Sequence, residues 1–97
     1  MNLQLSSRAE RDIEDIRSYL IARSPQGADR VRGSIAGALD LLEQFPHSGR
    51  ATSMTGIRML PVVRHPYLIY YTLIADEIVI VHVRHASRDA PSAGDLI

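Results

Sequence analysis

Residues 67–85 read Tyr-Leu-Ile-Tyr-Tyr-Thr-Leu-Ile-Ala-Asp-Glu-Ile-Val-Ile-Val-His-Val-Arg-His, and this stretch decides the fold. Its first eight and last nine residues are rich in aromatic and β-branched side chains, which favour β-strands. Ala75-Asp76 between them predicts a turn. Upstream, residues 57–63 predict another strand, in which Pro61 indicates an edge or a bulge because proline cannot donate a ladder hydrogen bond. Together these segments predict an antiparallel three-stranded meander.

A helix is expected ahead of the meander, beginning at Ser7. Ser7 and Glu10 have the spacing of a capping box, in which two side chains satisfy free backbone amides reciprocally. Apolar residues recur at helical spacing on one stripe: Ala9, Ile13, Ile16 and Leu20. Charged residues pair four positions apart, Arg8 with Asp12 and Arg11 with Asp15. These pairs predict a solvated outer face. Residues 3–5 predict a short strand before this helix.

A second helix is expected from Ser24-Pro25, with serine as the N-cap and proline in the first turn, to the stop at Pro46. Gly33 and Gly37 lie inside it, where each costs about 1 kcal/mol relative to alanine. We therefore expect them to allow close backbone approach to the first helix or to a partner. The whole pattern predicts an α+β fold: a short N-terminal strand, an antiparallel two-helix hairpin and the meander. One domain is expected over residues 1–97, with a core at about 3–89 and an irregular tail at 90–97.

The composition excludes several classes of protein. The chain of 97 residues has no cysteine, which excludes disulfides, thiolate zinc sites and a cysteine nucleophile. Its 11 basic residues are all arginine, which excludes catalysis by a lysine. The sequence shows no secretory signal and no long apolar segment, so a cytoplasmic location without membrane contact is expected. A chain this short buries only roughly two thirds of its unfolded surface, so a permanent partner would add stability.

Basic side chains gather at the predicted strand ends of the C-terminal half. They are Arg58, Arg64, His65, His82, Arg84, His85 and Arg88. Guanidinium groups pair with phosphate, and imidazole titrates near neutral pH, so the cluster can hold a phosphodiester and move a proton. Hydration at the surface, or pairing with carboxylates of a partner, explains the same residues. Both interpretations, a phosphodiester site and a hydrated or partner-bound surface, stay open at this point.

Two other sites are not expected. His82 and His85 are three residues apart on a strand and point to opposite faces, without further ligands at suitable spacing, so neither a metal site nor a cofactor is predicted. His85, Ser87 and Asp89 are too close in sequence to fold back and relay a proton, so no nucleophilic triad is predicted.

Five short strings, in this order and spacing, resemble the RelE/ParE superfamily of bacterial type II toxins over about residues 3–89. They are residues 9–16 (AERDIEDI), 45–50 (FPHSGR), 56–60 (GIRML), 66–71 (PYLIYY) and 83–89 (VRHASRD). The resemblance implies a partner, a cognate antitoxin such as a ParD-like ribbon-helix-helix protein. It also implies one of two activities. RelE-like members cut mRNA in the ribosomal A site without a metal, and ParE-like members poison DNA gyrase without being nucleases.

Within the resemblance, the ParE-like branch is favoured. Leu68 stands where RelE-like nucleases carry a basic residue, and no tyrosine follows residue 71. We therefore expect a gyrase poison without catalytic residues; a ribosome-dependent endoribonuclease is the alternative, and an inactive or retargeted member a third. The expected gyrase contacts are Arg58, Arg64, Arg84, His85 and Arg88, of which Arg58, His85 and Arg88 would be catalytic in the nuclease. The expected antitoxin contacts are Ile13, Ile16, Leu20, Gly33 and Gly37.

Overall fold

The computed structural model describes residues 1–87, which form a five-stranded sheet and two helices. The elements are β1 (Asn2–Leu5), α1 (Ser7–Arg23), α2 (Pro25–Gln44), β2 (Arg50–Ala51), β3 (Ile57–Pro61), β4 (Tyr67–Ile74) and β5 (Glu77–His85). The strand order is β1-β5-β4-β3-β2. β1 runs parallel to β5, and the other pairs are antiparallel. The predicted α+β fold is confirmed. The sequence did not predict β2, and the expected tail at 90–97 lies outside the described residues.

The helix boundaries differ from expectation at one end. The N-cap of α1 is Ser6 and not Ser7, because Ser6 has extended backbone angles and its Oγ accepts the amide of Ala9 at 3.1 Å. The start of α2 is confirmed, since the Oγ of Ser24 accepts the amide of Gly27 at 3.1 Å and Pro25 follows in the first turn. Ser24 alone joins the two helices, which makes the hairpin tight. Neither helix is long and apolar enough to cross a membrane.

Both helices pack on one face of the sheet. The fully buried side chains there include Leu42 from α2 and Ile69, Tyr71, Ile78 and Ile80 from β4 and β5. The opposite face carries a separate apolar cluster made by strand residues: Ile57, Met59, Leu68, Tyr70, Val79 and Val81. We call this second cluster the strand-face cluster.

Gly33 and Gly37 do not bring α2 close to α1. Both are exposed, and a Cβ built on either would meet no atom within 4 Å. They lie on the outer side of α2, because Val31 and Ile35 occupy its buried side. The expectation of close helix approach is therefore wrong.

The sheet has two local irregularities. Pro61 is the last residue of β3 and pairs with Leu68, beyond the reach of β2, so its predicted edge position is confirmed. Between β4 and β5, Tyr70 of β4 pairs with His82 of β5, and Tyr71 pairs with Ile80. Val81 is thus an extra residue in the ladder, and the strand has a β-bulge just before His82.

Candidate functional site

A cleft of about 900 Å³ lies between the helical hairpin and the ends of β4 and β5. Its apolar wall is formed by Ile16, Leu20, Val31 and Tyr67. Its polar groups include Arg8, Asp12, Arg30, His65, His82 and His85. The cleft exists because β1 pairs with β5 only as far as Ile80. Beyond that point the free edge of β5 faces α1, so residues from both sides of the strand border one space.

Asp12 joins α1 to this free edge. Its Oδ2 lies 2.6 Å from Nδ1 of His82 and accepts the backbone amide of Val83 at 3.0 Å, while its Oδ1 accepts from Nε of Arg8 at 3.0 Å. Its side chain is only 13% exposed. Asp12 therefore does not belong to the solvated outer face that the charge pairs predicted. Its carboxylate accepts the β5 backbone amide that has no neighbouring strand on this side.

The ring of His85 is held in place by Ser87. The backbone amide of Ser87 donates to Nδ1 of His85 at 3.0 Å, and the hydroxyl of Ser87 lies 2.7 Å from the same nitrogen. The ring packs edge-on against Tyr67, with centroids 5.4 Å apart. The expectation that Ser87 cannot fold back on His85 is wrong, because the chain turns directly after β5. Asp89 lies outside the described residues.

These contacts assign opposite tautomers to the two imidazoles in their neutral forms. Nδ1 of His82 faces a carboxylate, which only accepts, so it carries the proton and Nε2 has the lone pair. Nδ1 of His85 faces a backbone N–H, which only donates, so the proton is on Nε2. The cleft is thus bordered by one acceptor ring and one donor ring.

The predicted gyrase contacts fall into two groups. Arg84 donates to the hydroxyl of Tyr70 at 3.0 Å and to the carbonyl of His85 at 3.1 Å, so it lies at the end of β5. Arg64 lies in the turn before β4, which begins beside His85, and has a left-handed backbone with φ of 68°. Arg58 lies elsewhere and donates to the carbonyl of Gly49 at 2.7 Å. Arg88 lies outside the described residues.

The predicted antitoxin contacts are also divided. Ile13, Ile16 and Leu20 pack partly buried against the main core, and Ile16 and Leu20 also border the cleft. Gly33 and Gly37 lie on the outer side of α2 and do not share this space. The structure therefore brings together Ile16 and Leu20 but not the glycines.

Asp12, Tyr19 and Arg30 are among the cleft residues that the sequence did not predict. Asp12 is three residues after Ala9 and four before Ile16, so its position beside the apolar stripe was the available signal. Tyr19 is 54% exposed and stacks under Arg23, whose Cζ is 3.6 Å from the ring centroid. Burial raises the pKa of Tyr67, and the nearby Tyr19 raises it further.

A second polar cluster fixes the loop after α2. The hydroxyl of Tyr71 donates to the carbonyl of Pro46 at 2.8 Å and accepts the amide of Gly49 at 2.9 Å. Burial raises the pKa of Tyr71, while the Gly49 hydrogen bond and the Arg58 charge act in the opposite direction. This cluster holds Arg58 in place. No group of three or more metal-ligating side chains lies close together within residues 1–87.

Residues 3–90 match a family described as the ParE toxin of the type II toxin-antitoxin system parDE. The chain is 42% identical to Toxin RelE2 of Caulobacter vibrioides over 82 residues, which cover 84% of this chain and 90% of that one. It is 33% identical to Toxin RelE3 of the same organism over 87 residues, covering 88% and 94%. A solved structure titled as a chromosomal ParDE TA system from P. aeruginosa shares the fold, with a TM-score of 0.82 and 22% identity over 90% of this chain and 97% of that one.

Proposed function

Because this chain belongs to the ParE toxin family of type II toxin-antitoxin systems, we propose that it poisons DNA gyrase and that a cognate antitoxin neutralises it. Both events would take place in the cytoplasm. The proposed toxin is a binding protein that traps gyrase on cleaved DNA, without a catalytic group or a cofactor of its own.

The observation that carries this proposal is the chemistry around Leu68. Leu68 lies in the strand-face cluster beside Met59 and Tyr70. Cleavage of RNA needs cationic side chains to stabilise the charge of the transition state, and Leu68, Met59 and Tyr70 provide none, although the ladder partner of Leu68 is Arg84. Arg84 borders the same face but donates to Tyr70 and to backbone carbonyls. This face is better suited to contact another protein than to cut a phosphodiester.

The proposed gyrase contact is the end of the meander. Arg64, Arg84 and His85 lie there together, and Arg88 follows in sequence outside the described residues. Arg58 is bound by the carbonyl of Gly49, so we assign it to the loop and not to this contact. Arg64 is exposed and Arg84 and His85 are partly exposed, and basic groups of this kind suit an acidic protein surface.

The proposed antitoxin seat is the cleft. Its wall offers Ile16 and Leu20 to apolar anchors, and Arg30 and His65 offer positive or donor groups beside them. An acidic amphipathic segment matches both properties. Occupation of the cleft would also cover His85 and so connect antitoxin binding to loss of the proposed gyrase contact.

Purified protein tests the proposal directly. It should inhibit supercoiling by gyrase and cause cleaved DNA to accumulate, and the antitoxin should reverse both effects. Translating ribosomes supplied with the same protein should keep their mRNA intact. Unaffected supercoiling at saturating toxin would contradict the proposal.

One observation favours a second candidate, the ribosome-dependent nuclease. The sequence offered no clear second proton carrier beside His85, but the structure places His82 on the same cleft with the opposite tautomer. RNA transesterification would need one neutral imidazole to take the 2′-hydroxyl proton and one protonated imidazole to donate a proton to the leaving oxygen, and two imidazoles on one cleft can divide these roles. Ribosomal mRNA cleavage that disappears in His82→Ala would support this candidate.

A further inference from the structure

The two imidazoles of the cleft each have one ring nitrogen occupied and one available. Nδ1 of His82 is taken by Asp12, and Nδ1 of His85 is taken by Ser87. Neither Nε2 has a hydrogen-bond partner among residues 1–87. No buried side-chain nitrogen or oxygen in this part of the chain lacks a partner, so both Nε2 atoms must reach solvent. Both rings border the cleft, but His85 is partly exposed whereas only 7% of His82 is exposed, so a ligand there would reach His82 through this small exposed part.

The available nitrogens differ in what they can bind. Nε2 of His82 has a lone pair and needs a donor, whereas Nε2 of His85 carries a proton and needs an acceptor. Internal contacts fix both assignments in the neutral rings, because moving the proton of either ring to its other nitrogen would break a hydrogen bond. A carboxylate or a phosphomonoester dianion would satisfy His85 only, since it has no proton to offer the lone pair of neutral His82. The Asp12 carboxylate, 2.6 Å from the His82 ring, also disfavours an anion on that side.

We propose that the cleft recognises peptide groups of an extended partner segment, with His82 Nε2 accepting a backbone N–H and His85 Nε2–H donating to a backbone carbonyl. A peptide segment presents both a backbone N–H and a backbone carbonyl, and neither group is charged. This inference rests on the proposal that an antitoxin segment occupies the cleft, and it names the groups that the cleft reads in that segment. Arg30 and the apolar wall then select side chains, while the two rings select main chain.

The experiment uses small amides on the full chain and needs no antitoxin. Two-bond ¹H–¹⁵N spectra of the ¹⁵N-labelled protein at mildly alkaline pH should show the proton on Nδ1 of His82 and on Nε2 of His85. N-methylacetamide, which has an N–H and a carbonyl, should shift the ring signals of both histidines. N,N-dimethylacetamide, which lacks the N–H, should shift those of His85 only. Ligands this small bind weakly, so half-saturation is expected on the order of 10–100 mM.

Two variants control for nonspecific solvent effects. His85→Gln keeps an amide donor near the position of Nε2 and should retain the response of His82, while His85→Phe keeps a ring without a donor and should reduce it several-fold. The proposal is overturned if the two rings share a tautomer, if both amides shift His82 equally, or if neither amide shifts either ring. Wild-type protein alone decides these outcomes, even where a variant fails to fold. Loss of antitoxin binding or toxicity would be seen separately and would concern the proposed function.

Discussion

The carboxylate of Asp12 lies 2.6 Å from Nδ1 of His82, a contact between residues 70 positions apart in the chain. The same carboxylate accepts the amide of Val83. One side chain from the first helix therefore completes the edge of the last strand and fixes the orientation of an imidazole on the cleft. Asp12 therefore contributes to the stability of the strand edge and to the proposed recognition site.

Asp12→Ala should lower the free energy of unfolding by about 2–4 kcal/mol, because it leaves the Val83 amide and the His82 ring without partners. Urea denaturation measures this change. Asp15→Ala, on the same helix but exposed, is the matched control and should change stability by less than about 0.5 kcal/mol. Equal effects of the two substitutions would mean that the edge contact contributes nothing.

Tyr71 should make the protein less stable at high pH. Burial raises its pKa in the folded state above the ordinary tyrosine value of 10.0. Around and above pH 10 the unfolded chain therefore binds fewer protons than the folded one, so stability is complete below this pH and falls as pH rises. Tyr71→Phe should lower stability at neutral pH by about 1–3 kcal/mol through two lost hydrogen bonds, and should flatten the alkaline decline. Chemical denaturation between pH 8 and 11 tests both effects; a decline as steep as in wild type would assign it to other groups.

Two glycines should respond oppositely to alanine. A Cβ at Gly49 would lie 2.6 Å from the Tyr71 ring, so Gly49→Ala should destabilise the protein by about 1–3 kcal/mol. A Cβ at Gly37 meets open space in a helix, so Gly37→Ala should stabilise it by up to about 1 kcal/mol. Thermal unfolding distinguishes the two. A destabilising Gly37→Ala would show that α2 is constrained at that position.

Antitoxin affinity should depend on the cleft and not on the outer side of α2. Arg30→Glu reverses a charge on the cleft and should weaken binding about tenfold, with the difference shrinking at high salt. Gly37→Leu adds a bulky side chain on the outer side and should leave the affinity unchanged. Titration calorimetry of both variants against the antitoxin provides the comparison. A large loss in Gly37→Leu alone would move the seat to the outer side of α2.

Gyrase inhibition should decline gradually when the end of the meander is altered. His85→Ala and Arg64→Ala each remove one contact from a docking surface, so the inhibitory concentration should rise about three- to tenfold in each variant. A catalytic group would behave differently, since its removal eliminates a chemical step. Supercoiling assays with graded toxin, together with mRNA integrity on ribosomes, separate these outcomes.

The sequence predicted elements better than contacts. Segments rich in aromatic and β-branched residues located the strands, and Ser24-Pro25 and Pro46 located α2, because each of these signals acts on the backbone within a few residues. Asp12 was misplaced because its partners, His82 and Val83, come from the far end of the chain, and pairing with Arg8 explained its charge locally. The folding back of Ser87 depends on a turn after β5 that has no glycine or proline signal.

The candidate site was predicted only in part, because some of its contacts join residues that are distant in the sequence. His85, Arg84 and Arg64 were named from the sequence and lie at one end of the sheet, since neighbouring strands bring their ends together. Arg58 was grouped with them as a basic residue at a predicted strand end, but its strand register with Tyr71 places it beside another loop. Gly33 and Gly37 were interpreted from the helix stability that glycine loses relative to alanine. That loss does not reveal which side of the helix packs against the rest of the protein.

The parallel pairing of β1 with β5 sets an order of events during synthesis. Asn2 lies beside Glu77, so β1 is synthesised long before β5 and lacks this partner until then. The hairpin of α1 and α2 depends on local contacts and can form earlier. Closure of the sheet, and with it the Asp12 contact and the complete cleft, must come last. A nascent chain therefore passes through a stage in which the helices exist without the surface that gives the protein its proposed activity.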